Sequence, residues 1–242
     1  MHSILITRPE PQASELATQV RMLDIRATVF PTIEIHSTQD VSWQTRLLRE
    51  AKPEDLFIVI SQNAATAINK LKIIKSIHCI AIGKGTAQVL QQNGFTNIHY
   101  SADVANSESA LALPILQNIT GQTCWLLRGN GGRELLPDTL RQRGAIVNTL
   151  TCYERHLPIQ SIQPVIDQWK QSSFDCVICT SLEGLQNLCQ LLGEERVLLQ
   201  QTPITVVSEN MIRCAQAHGI VNTHWLQSAS NTDILTWLAE HL

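Results

Sequence analysis

The glycine-rich segment Arg128-Gly129-Asn130-Gly131-Gly132-Arg133-Glu134 is the part of this sequence best suited to binding an anion. An apolar run that predicts a strand precedes it, and an amphipathic pattern that predicts a helix over Arg133–Arg143 follows it. Three glycines in four positions allow positive φ angles and a close approach of the backbone to a ligand. The first N–H groups of the helix lack intrahelical partners and carry its positive dipole end. The segment predicts either an anion-binding turn or a tight strand-to-helix turn without a ligand.

Two motifs that would bind a nucleotide phosphate are incomplete. A Gly-x-Gly-x-x-Gly fingerprint beginning at Gly129 requires glycine where Glu134 stands, and the Glu134 carboxylate would repel a pyrophosphate. The segment 83–86 resembles the end of a P-loop, but His78 occupies the position of the upstream glycine. Neither segment predicts a nucleotide site.

Composition excludes several classes of partner. The chain has 242 residues, of which 44% are hydrophobic and 16% charged, as in a soluble globular protein with one large or two small domains. The net charge of −3 and the scattered lysines and arginines argue against nucleic acid and anionic membranes. The apolar run near the N-terminus is too short for a signal peptide, and no later run approaches the length of a membrane span. We therefore expect a cytoplasmic protein.

The cysteines are predicted to be reduced and buried. There are seven, an odd number, and most lie within apolar runs. The pair Cys176-x-x-Cys179 has the spacing of a metal or redox motif, but residues three apart in a strand point to opposite faces of the sheet. We interpret this pair as core packing and expect no metal site.

Short β-rich runs alternate with helical patterns almost from end to end, which predicts an α/β protein with parallel sheets. The predicted strands are Ser3–Thr7, Thr28–Ile33, Leu56–Ser61, His78–Ile82, Asn97–Tyr100, Thr123–Arg128, Ala145–Leu150, Asp175–Ser181, Ile204–Ser208 and Val221–His224. The predicted helices are Pro11–Leu23, Val41–Lys52, Asn63–Leu71, Thr86–Asn93, Arg133–Arg143, Leu182–Leu192, Glu209–His218 and Thr232–Leu242.

Segments about 120 residues apart resemble one another. The strand at Leu5 is similar in sequence to the strand at Leu126. The strand at Ile58 is similar to the strand at Ile178, and each of these two strands ends in a hydroxyl residue. The segments beginning at Ile82 and Val207 are also alike. The repeats predict two similar α/β domains. The extended segments Phe30–His36 and Thr149–His156 are predicted to connect them.

Together these residues resemble the uroporphyrinogen-III synthase family of tetrapyrrole biosynthesis, over nearly the whole chain. The segments that carry the resemblance are Ile4–Pro9, Phe30–Glu34, Ala81–Ala87, Leu127–Leu135, Cys152–Arg155, Val206–Glu209 and Ser230–Asp233.

The resemblance implies two flavodoxin-like parallel-sheet domains joined by a two-stranded connector, with the active-site cleft between them. Residues 1–34 with 157–242 would form a discontinuous first domain and residues 38–150 the second, with connectors at about 31–37 and 150–157. The implied enzyme is a monomeric lyase that closes hydroxymethylbilane, a linear tetrapyrrole with eight carboxylates, to uroporphyrinogen III. It inverts the last ring, releases water and uses no cofactor or metal.

The substrate carboxylates are expected at the carboxyl ends of the strands, where open α/β sheets bind ligands and where several helices begin. The candidate binding residues are Arg8, Ser61, Gln62, Asn63, Gly83, Lys84, Thr86, Arg128, Gly129, Asn130, Gly131, Thr180, Ser181 and Ser208. Arg8 and Arg128 either contact carboxylates of the substrate or pair with acidic side chains near the strand ends.

Tyr153 is the candidate catalytic residue, because the resemblance puts it at the family's active-site tyrosine. A phenol is protonated at neutral pH and can assist the departure of hydroxide from the bilane. The alternative is an aromatic side chain that packs at the connector with its hydroxyl in a structural hydrogen bond.

Glu209 departs from the family pattern and weakens the assignment of its neighbours as ligands. Its carboxylate would oppose a carboxylate ligand unless it turns back to cap its own helix. For the whole chain, the alternative function is a two-lobe module that binds a small anion without chemistry, and the alternating strands and helices fit that function equally well.

Overall fold

The computed structural model describes residues 1–69, 71, 73, 75–101 and 106–242. The chain forms two compact units, each described by itself below. The first unit contains Met1–Glu34 and His156–Leu242, and the second contains Ile35–Arg155.

The strands are β1 (Ser3–Ile6), β2 (Arg26–Val29), β3 (Glu34–Ser37), β4 (Leu56–Val59), β5 (His78–Ala81), β6 (Asn97–His99), β7 (Thr123–Gly129), β8 (Ile146–His156), β9 (Cys176–Ile178), β10 (Ile204–Val206) and β11 (Thr223–Trp225). The helices are α1 (Gln12–Arg21), α2 (Ser42–Glu50), α3 (Gln62–Asn69), α4 (Lys84–Gln92), α5 (Ser107–Leu111), α6 (Leu135–Gln142), α7 (Gln163–Gln171), α8 (Leu182–Leu192), α9 (Val197–Gln200), α10 (Glu209–Ala217) and α11 (Asn231–His241). Short 3-10 turns cover Pro114–Leu116 and Gly193–Arg196.

The two sheets have the same spatial order of corresponding strands. In the first unit the order is β2-β1-β9-β10-β11, which is the flavodoxin-like order, and all the pairs are parallel. In the second unit β8-β7-β4-β5-β6 is likewise parallel, and β3 lies beside β8 at the edge. The repeats seen in the sequence match β1 with β7, β9 with β4 and β10 with β5. The prediction of two similar parallel-sheet domains is confirmed, with the strands of the second unit circularly permuted along the chain.

Central strands such as β4 are buried at every position because helices and loops cover both faces of a parallel sheet. Each sheet therefore separates two apolar clusters. In the first unit Cys176 belongs to one cluster and Cys179 to the other, so the two thiols lie on opposite faces as the sequence predicts. None of the described helices is long and apolar enough to cross a membrane.

Three predicted boundaries are wrong for local reasons. The second strand ends at Val29 rather than Ile33, because Pro31 has no N–H for the ladder. The sixth helix begins at Leu135 rather than Arg133, because Gly131 and Gly132 both have positive φ and delay the first helical turn. The strand predicted over Ala145–Leu150 continues to His156, so the second connector is part of β8.

Smaller differences occur at other helix ends. The helix α4 begins at Lys84, before the predicted Thr86, and the helix α3 begins at Gln62. The predicted end of α3 falls next to residue 70, which lies outside the described residues. The helix α7 was not among the helices predicted from the sequence.

Candidate active site

A row of residues crosses the carboxyl edge of the sheet in the second unit. Val59 of β4 is in register with Ala81 of β5 and with Leu127 of β7. Two residues further along each strand stand Ser61, Gly83 and Gly129, and Gly129 in turn is paired with Tyr153 of β8. Parallel pairing thus brings four residues from four separate segments to one edge.

Tyr153 is buried, with 6% of its surface exposed, and its ring belongs to an apolar cluster. The Ser61 hydroxyl donates a hydrogen bond to the phenolic oxygen over 3.0 Å. Ser61 also accepts a hydrogen bond from the Ala64 N–H at 3.2 Å, so it caps the N-terminus of α3. The phenol therefore packs against the core and has a hydrogen-bond donor at its oxygen.

Gly129 allows the tyrosine ring to lie against the backbone of β7. A Cβ atom at this position would lie 2.6 Å from Tyr153 Cε2 and 3.0 Å from the phenolic oxygen. The ladder between β7 and β8 has an irregular register between Arg128 and Gly129. Because no side chain larger than hydrogen fits there, Gly129 contributes space for Tyr153.

The buried side chain of Arg128 is hydrogen-bonded to the glycine-rich turn and to the residue before α6. Its side chain is 7% exposed, and Nη1 pairs with Glu134 Oε1 at 2.8 Å. Its Nη2 donates to the carbonyl oxygen of Gly131, and a Cβ at Gly132 would lie 2.6 Å from the same nitrogen. Of the two alternatives predicted for Arg128, the structure shows the ion pair with an acidic side chain near the strand end, Glu134. Among the described hydrogen bonds, none uses the exposed N–H groups of Gly131 and Gly132.

Asn130 fastens the turn to β8. Its Oδ1 accepts from the Arg155 N–H at 2.6 Å, and its Nδ2 donates to the Arg155 carbonyl oxygen at 3.2 Å. Its own N–H donates to the Tyr153 carbonyl oxygen at 3.2 Å. The side chain thus completes the pairing of two strands, so its amide is already occupied.

The remaining candidates of the second unit lie at the starts of α3 and α4. Gln62 is exposed, and its Nε2 lies 2.5 Å from where a Cβ of Gly85 would be. Gly83 occupies the N-cap position of α4, with φ of 84° and no side chain to cap the helix. Lys84 is exposed and Thr86 is 4% exposed.

A cavity of about 180 Å³ adjoins Tyr153 within the second unit. Its wall includes Asn63 and Thr66 of α3, Trp43 of α2 and Cys152. The Trp43 Nε1 atom is buried and has no hydrogen-bond partner among the residues that the structure describes. Of these residues, Asn63 was predicted from the sequence, whereas Trp43 and Thr66 were not. The spacing of three between Asn63 and Thr66 puts both on one helix face and is the signal that was available.

The candidates of the first unit have other hydrogen-bond partners. Arg8 is half-buried and donates from Nη1 to Asn231 Oδ1 at 2.5 Å, and burial lowers the pKa of Arg8 from its ordinary value, with Glu15 opposing this effect. The Ser181 hydroxyl accepts from the Gly184 N–H at 3.0 Å and caps α8. Ser208 caps α10 through the Met211 N–H at 3.4 Å. Thr180 is half-buried at the end of β9.

Glu209 does not cap its own helix, so the condition under which it would not oppose a carboxylate ligand is not met. Ser208 fills the cap position of α10, so Glu209 lies one residue inside the helix. Its carboxylate is exposed and lies 4.0 Å from the Arg213 guanidinium, one helical turn away. The described residues contain no group of three or more His, Cys, Asp or Glu side chains placed to hold a metal ion.

Two permuted parallel sheets with polar residues at the strand ends define a two-domain α/β protein, and comparisons with known proteins identify its family. The family model described as Uroporphyrinogen-III synthase HemD matches residues 14–229. The uroporphyrinogen-III synthase of Escherichia coli K12 is 36% identical over 242 residues, which covers 96% of this chain and 98% of that protein. The enzyme of the same name from Proteus mirabilis is 37% identical over 194 residues, covering 77% and 96%. The chain belongs to the uroporphyrinogen-III synthase family.

Solved structures of the family have the same fold. A variant of the uroporphyrinogen III synthase of Thermus thermophilus superimposes with a TM-score of 0.66 at 14% identity and covers 99% of this chain and 98% of that chain. The enzyme of Helicobacter pylori 26695 gives a TM-score of 0.64 at 16% identity, with 99% of both chains covered.

Proposed function

We propose that this protein closes hydroxymethylbilane to uroporphyrinogen III, with inversion of ring D and loss of water, and that Tyr153 donates the proton to the departing hydroxide. The observation that carries the proposal is the position of the Tyr153 phenol. It lies beside Gly129 at the carboxyl edge of the sheet in the second unit, in a chain that belongs to this family. Its oxygen is held by Ser61, while its own hydrogen has no acceptor among the described residues. Positioning of the reacting ends would supply most of the acceleration, as in other intramolecular ring closures.

The proposal for substrate binding relies on main-chain donors. The N–H groups of Gly131 and Gly132 take part in none of the described hydrogen bonds. Together with the first turn of α4 after Gly83, they offer donors to carboxylates without a basic patch. Each helix start contributes about 0.3–1 kcal/mol when exposed. Lys84 adds an exposed positive charge. Ser61, Ser181 and Ser208 cap the starts of α3, α8 and α10, so their hydroxyl oxygens already accept hydrogen bonds within the fold. We propose that the main-chain donors at these helix starts, rather than the serine oxygens, face the carboxylates.

Arg8 is proposed as the carboxylate contact of the first unit. Its described hydrogen bond goes to the neutral amide of Asn231, so a carboxylate that displaced this amide would gain a charge-assisted bond. Thr180 at the neighbouring strand end would supply a further hydroxyl group.

The decisive assay mixes the protein with freshly generated hydroxymethylbilane and separates the two isomers of the product. The spontaneous reaction gives the uninverted isomer, so we expect the inverted isomer to dominate when the enzyme is present. A module that only binds the bilane would leave the uninverted isomer as the product, and this outcome would refute the enzyme proposal.

The role of Tyr153 is tested by Tyr153→Phe, with Tyr100→Phe as the matched control. These are the two tyrosines of the chain. Loss of a general acid lowers the rate by about 10²-fold or more, so we expect Tyr153→Phe to lose most of its turnover while unfolding at nearly the wild-type urea concentration. Tyr100 is 39% exposed and should tolerate the change. Full activity in Tyr153→Phe would remove the assigned role.

The reaction class that follows is a lyase without a cofactor. Ring closure with loss of water changes no oxidation state overall, so the atoms balance without an electron carrier. Incubation with a chelator should leave turnover unchanged. We further propose a cytoplasmic location, since the seven cysteines are all unpaired. A monomer is proposed because the family resemblance implies it. Sedimentation equilibrium tests the monomer.

A further inference from the structure

The hydrogen bond between Ser61 and Tyr153 has a direction that suits a proton donor. The Ser61 oxygen receives the Ala64 N–H, and the described partner for its single hydrogen is the Tyr153 oxygen. With Ser61 as the donor in this bond, the phenol keeps its own hydrogen for another acceptor. Gly129 leaves the space that this orientation of the ring needs, since a Cβ there would overlap Cε2.

The corresponding place in the first unit has a purely structural arrangement. The internal repeat matches Ser61 with Ser181. Leu5 pairs with Thr28 and Leu126 pairs with Thr149, so Thr32 and Tyr153 each stand four residues beyond corresponding positions. Both Ser181 Oγ and Thr32 Oγ1 lie close to Gly184, whose Cβ would be 2.9 Å and 3.3 Å from them. Thr32 donates its hydroxyl to the carbonyl oxygens of Thr7 and Gly184, at 3.2 Å and 3.0 Å. The threonine hydrogen is used within the fold, whereas none of the described hydrogen bonds uses the phenol hydrogen of Tyr153.

We propose that Ser61 is a positioning residue that acts on the reaction through Tyr153. This inference rests on the proposed function and extends it. The Ser61 O–H orients the phenol and stabilises the negative charge that develops on its oxygen as the proton leaves. That proton joins the departing hydroxide to form water, and the proton released by the closing pyrrole restores the phenol. In this arrangement Ser61 contacts Tyr153 and not the substrate.

The test compares Ser61→Ala, Ser61→Gly and Ser61→Thr. Ser61→Ala removes both the helix cap and the donor to Tyr153. Ser61→Gly removes the donor but keeps a residue that is acceptable at an N-cap. Ser61→Thr retains both functions. Ser230→Ala is the matched control, because Ser230 caps α11 through the Asp233 N–H at 3.1 Å and is not part of the proposed site.

Two readouts separate positioning from stability. We expect kcat to fall about tenfold in Ser61→Ala and Ser61→Gly, as for loss of a hydrogen bond to a developing charge, while KM changes little. Ser61→Thr should restore kcat, and Ser230→Ala should keep it. In protein labelled with ¹³C at tyrosine Cζ, the Tyr153 resonance should shift in Ser61→Ala and Ser61→Gly while the Tyr100 resonance stays in place.

The outcomes separate this inference from the proposed function. If Tyr153→Phe is inactive but Ser61→Gly has the wild-type kcat, the role of Ser61 is wrong and the proposed function stands. An unmoved Tyr153 resonance in folded Ser61→Gly also overturns the inference. If Tyr153→Phe is fully active, the catalytic role of the phenol fails, even where the Cζ resonance still reports the hydrogen bond.

Discussion

The ring of Tyr153 lies directly against the backbone of Gly129, at a distance that leaves room for a hydrogen atom and no more. A Cβ atom at Gly129 would come within 2.6 Å of Tyr153 Cε2. The Tyr153 ring on β8 thus occupies the space that a side chain at position 129 on the neighbouring strand β7 would need. The orientation of the phenol depends on this glycine as much as on Ser61.

Gly129→Ala should lower turnover strongly, because the ring must rotate or shift to admit the methyl group. Overpacking of this kind costs about 1–3 kcal/mol of stability. Steady-state turnover and urea unfolding of the same preparation measure the two effects. Gly121→Ala provides a control, because the space around Gly121 is open and its positive φ gives a comparable loss of stability away from the site. Equal turnover in the two variants would contradict a role for close packing at Gly129.

Arg128→Lys should loosen the glycine-rich turn. The guanidinium donates to both Glu134 and the Gly131 carbonyl oxygen, and the single ammonium of lysine, on a flexible chain, cannot reproduce this planar fork. Because the arginine is buried, we expect the variant to lose about 1.5–3 kcal/mol of stability, as for a hydrogen bond to a charged group. Equilibrium unfolding in urea measures the loss.

Arg141→Lys is the matched control for that change. Arg141 pairs with Asp138 at 3.0 Å, but both side chains are about half exposed. An exposed pair contributes about 0.2–1 kcal/mol, so this variant should unfold close to the wild type. If the two variants lose equal stability, Arg128 does not hold the turn in the way that the structure indicates.

The parallel sheets were predictable because buried strands are nearly continuous apolar runs. Leu56–Val59 and Ser3–Ile6 are recognisable for this reason alone. The boundaries failed where one backbone property decides the outcome, as at Pro31 and at Gly131 with Gly132. The helix α7 was missed because its sequence mixes Pro164 and β-branched residues with polar ones, and its packing against the sheet compensates for low helix propensity.

The candidate site was predictable residue by residue but not contact by contact. Ser61 and Tyr153 were both selected, yet their hydrogen bond joins positions 92 residues apart and depends on the register of three strands. The partner of Arg128 was left open, because an arginine at a strand end reaches an internal acid and a ligand equally well. The contacts of the candidate residues with the substrate stay predictions.

The stability of the first unit should decrease in mild acid through His224. Burial, and secondarily the charge of His241, lowers the pKa of His224 from its ordinary value. The two histidine rings lie 6.1 Å apart, and the ring of Trp237 contacts both, with centroids 4.9 Å from His224 and 4.6 Å from His241. In the unfolded chain His224 titrates near pH 6.5, so below that pH the unfolded state binds more protons than the native state. The stabilising contribution is complete above about pH 6.5 and is lost as pH falls through the native pKa.

The measurement is the urea midpoint between pH 7.5 and pH 5 for the wild type, His224→Asn and His241→Gln. His224→Asn should show a shallower decrease with falling pH, whatever its stability at neutral pH. His241→Gln should recover a smaller part of the decrease, because only the lesser cause is removed. A pH dependence of His224→Asn identical to that of the wild type would count against this assignment.

Native protein at pH 8 should react with iodoacetamide at Cys214 before its other cysteines. Cys214 is half-buried and the other six are buried. Burial raises the pKa of Cys152 to about 12, so the reactive thiolate is nearly absent there at pH 8. Peptide mass spectrometry after brief alkylation gives the order, and Cys214→Ser should remove the fast label. Cys152 lines the cavity beside Tyr153, so its early labelling would contradict the closed packing that holds the phenol.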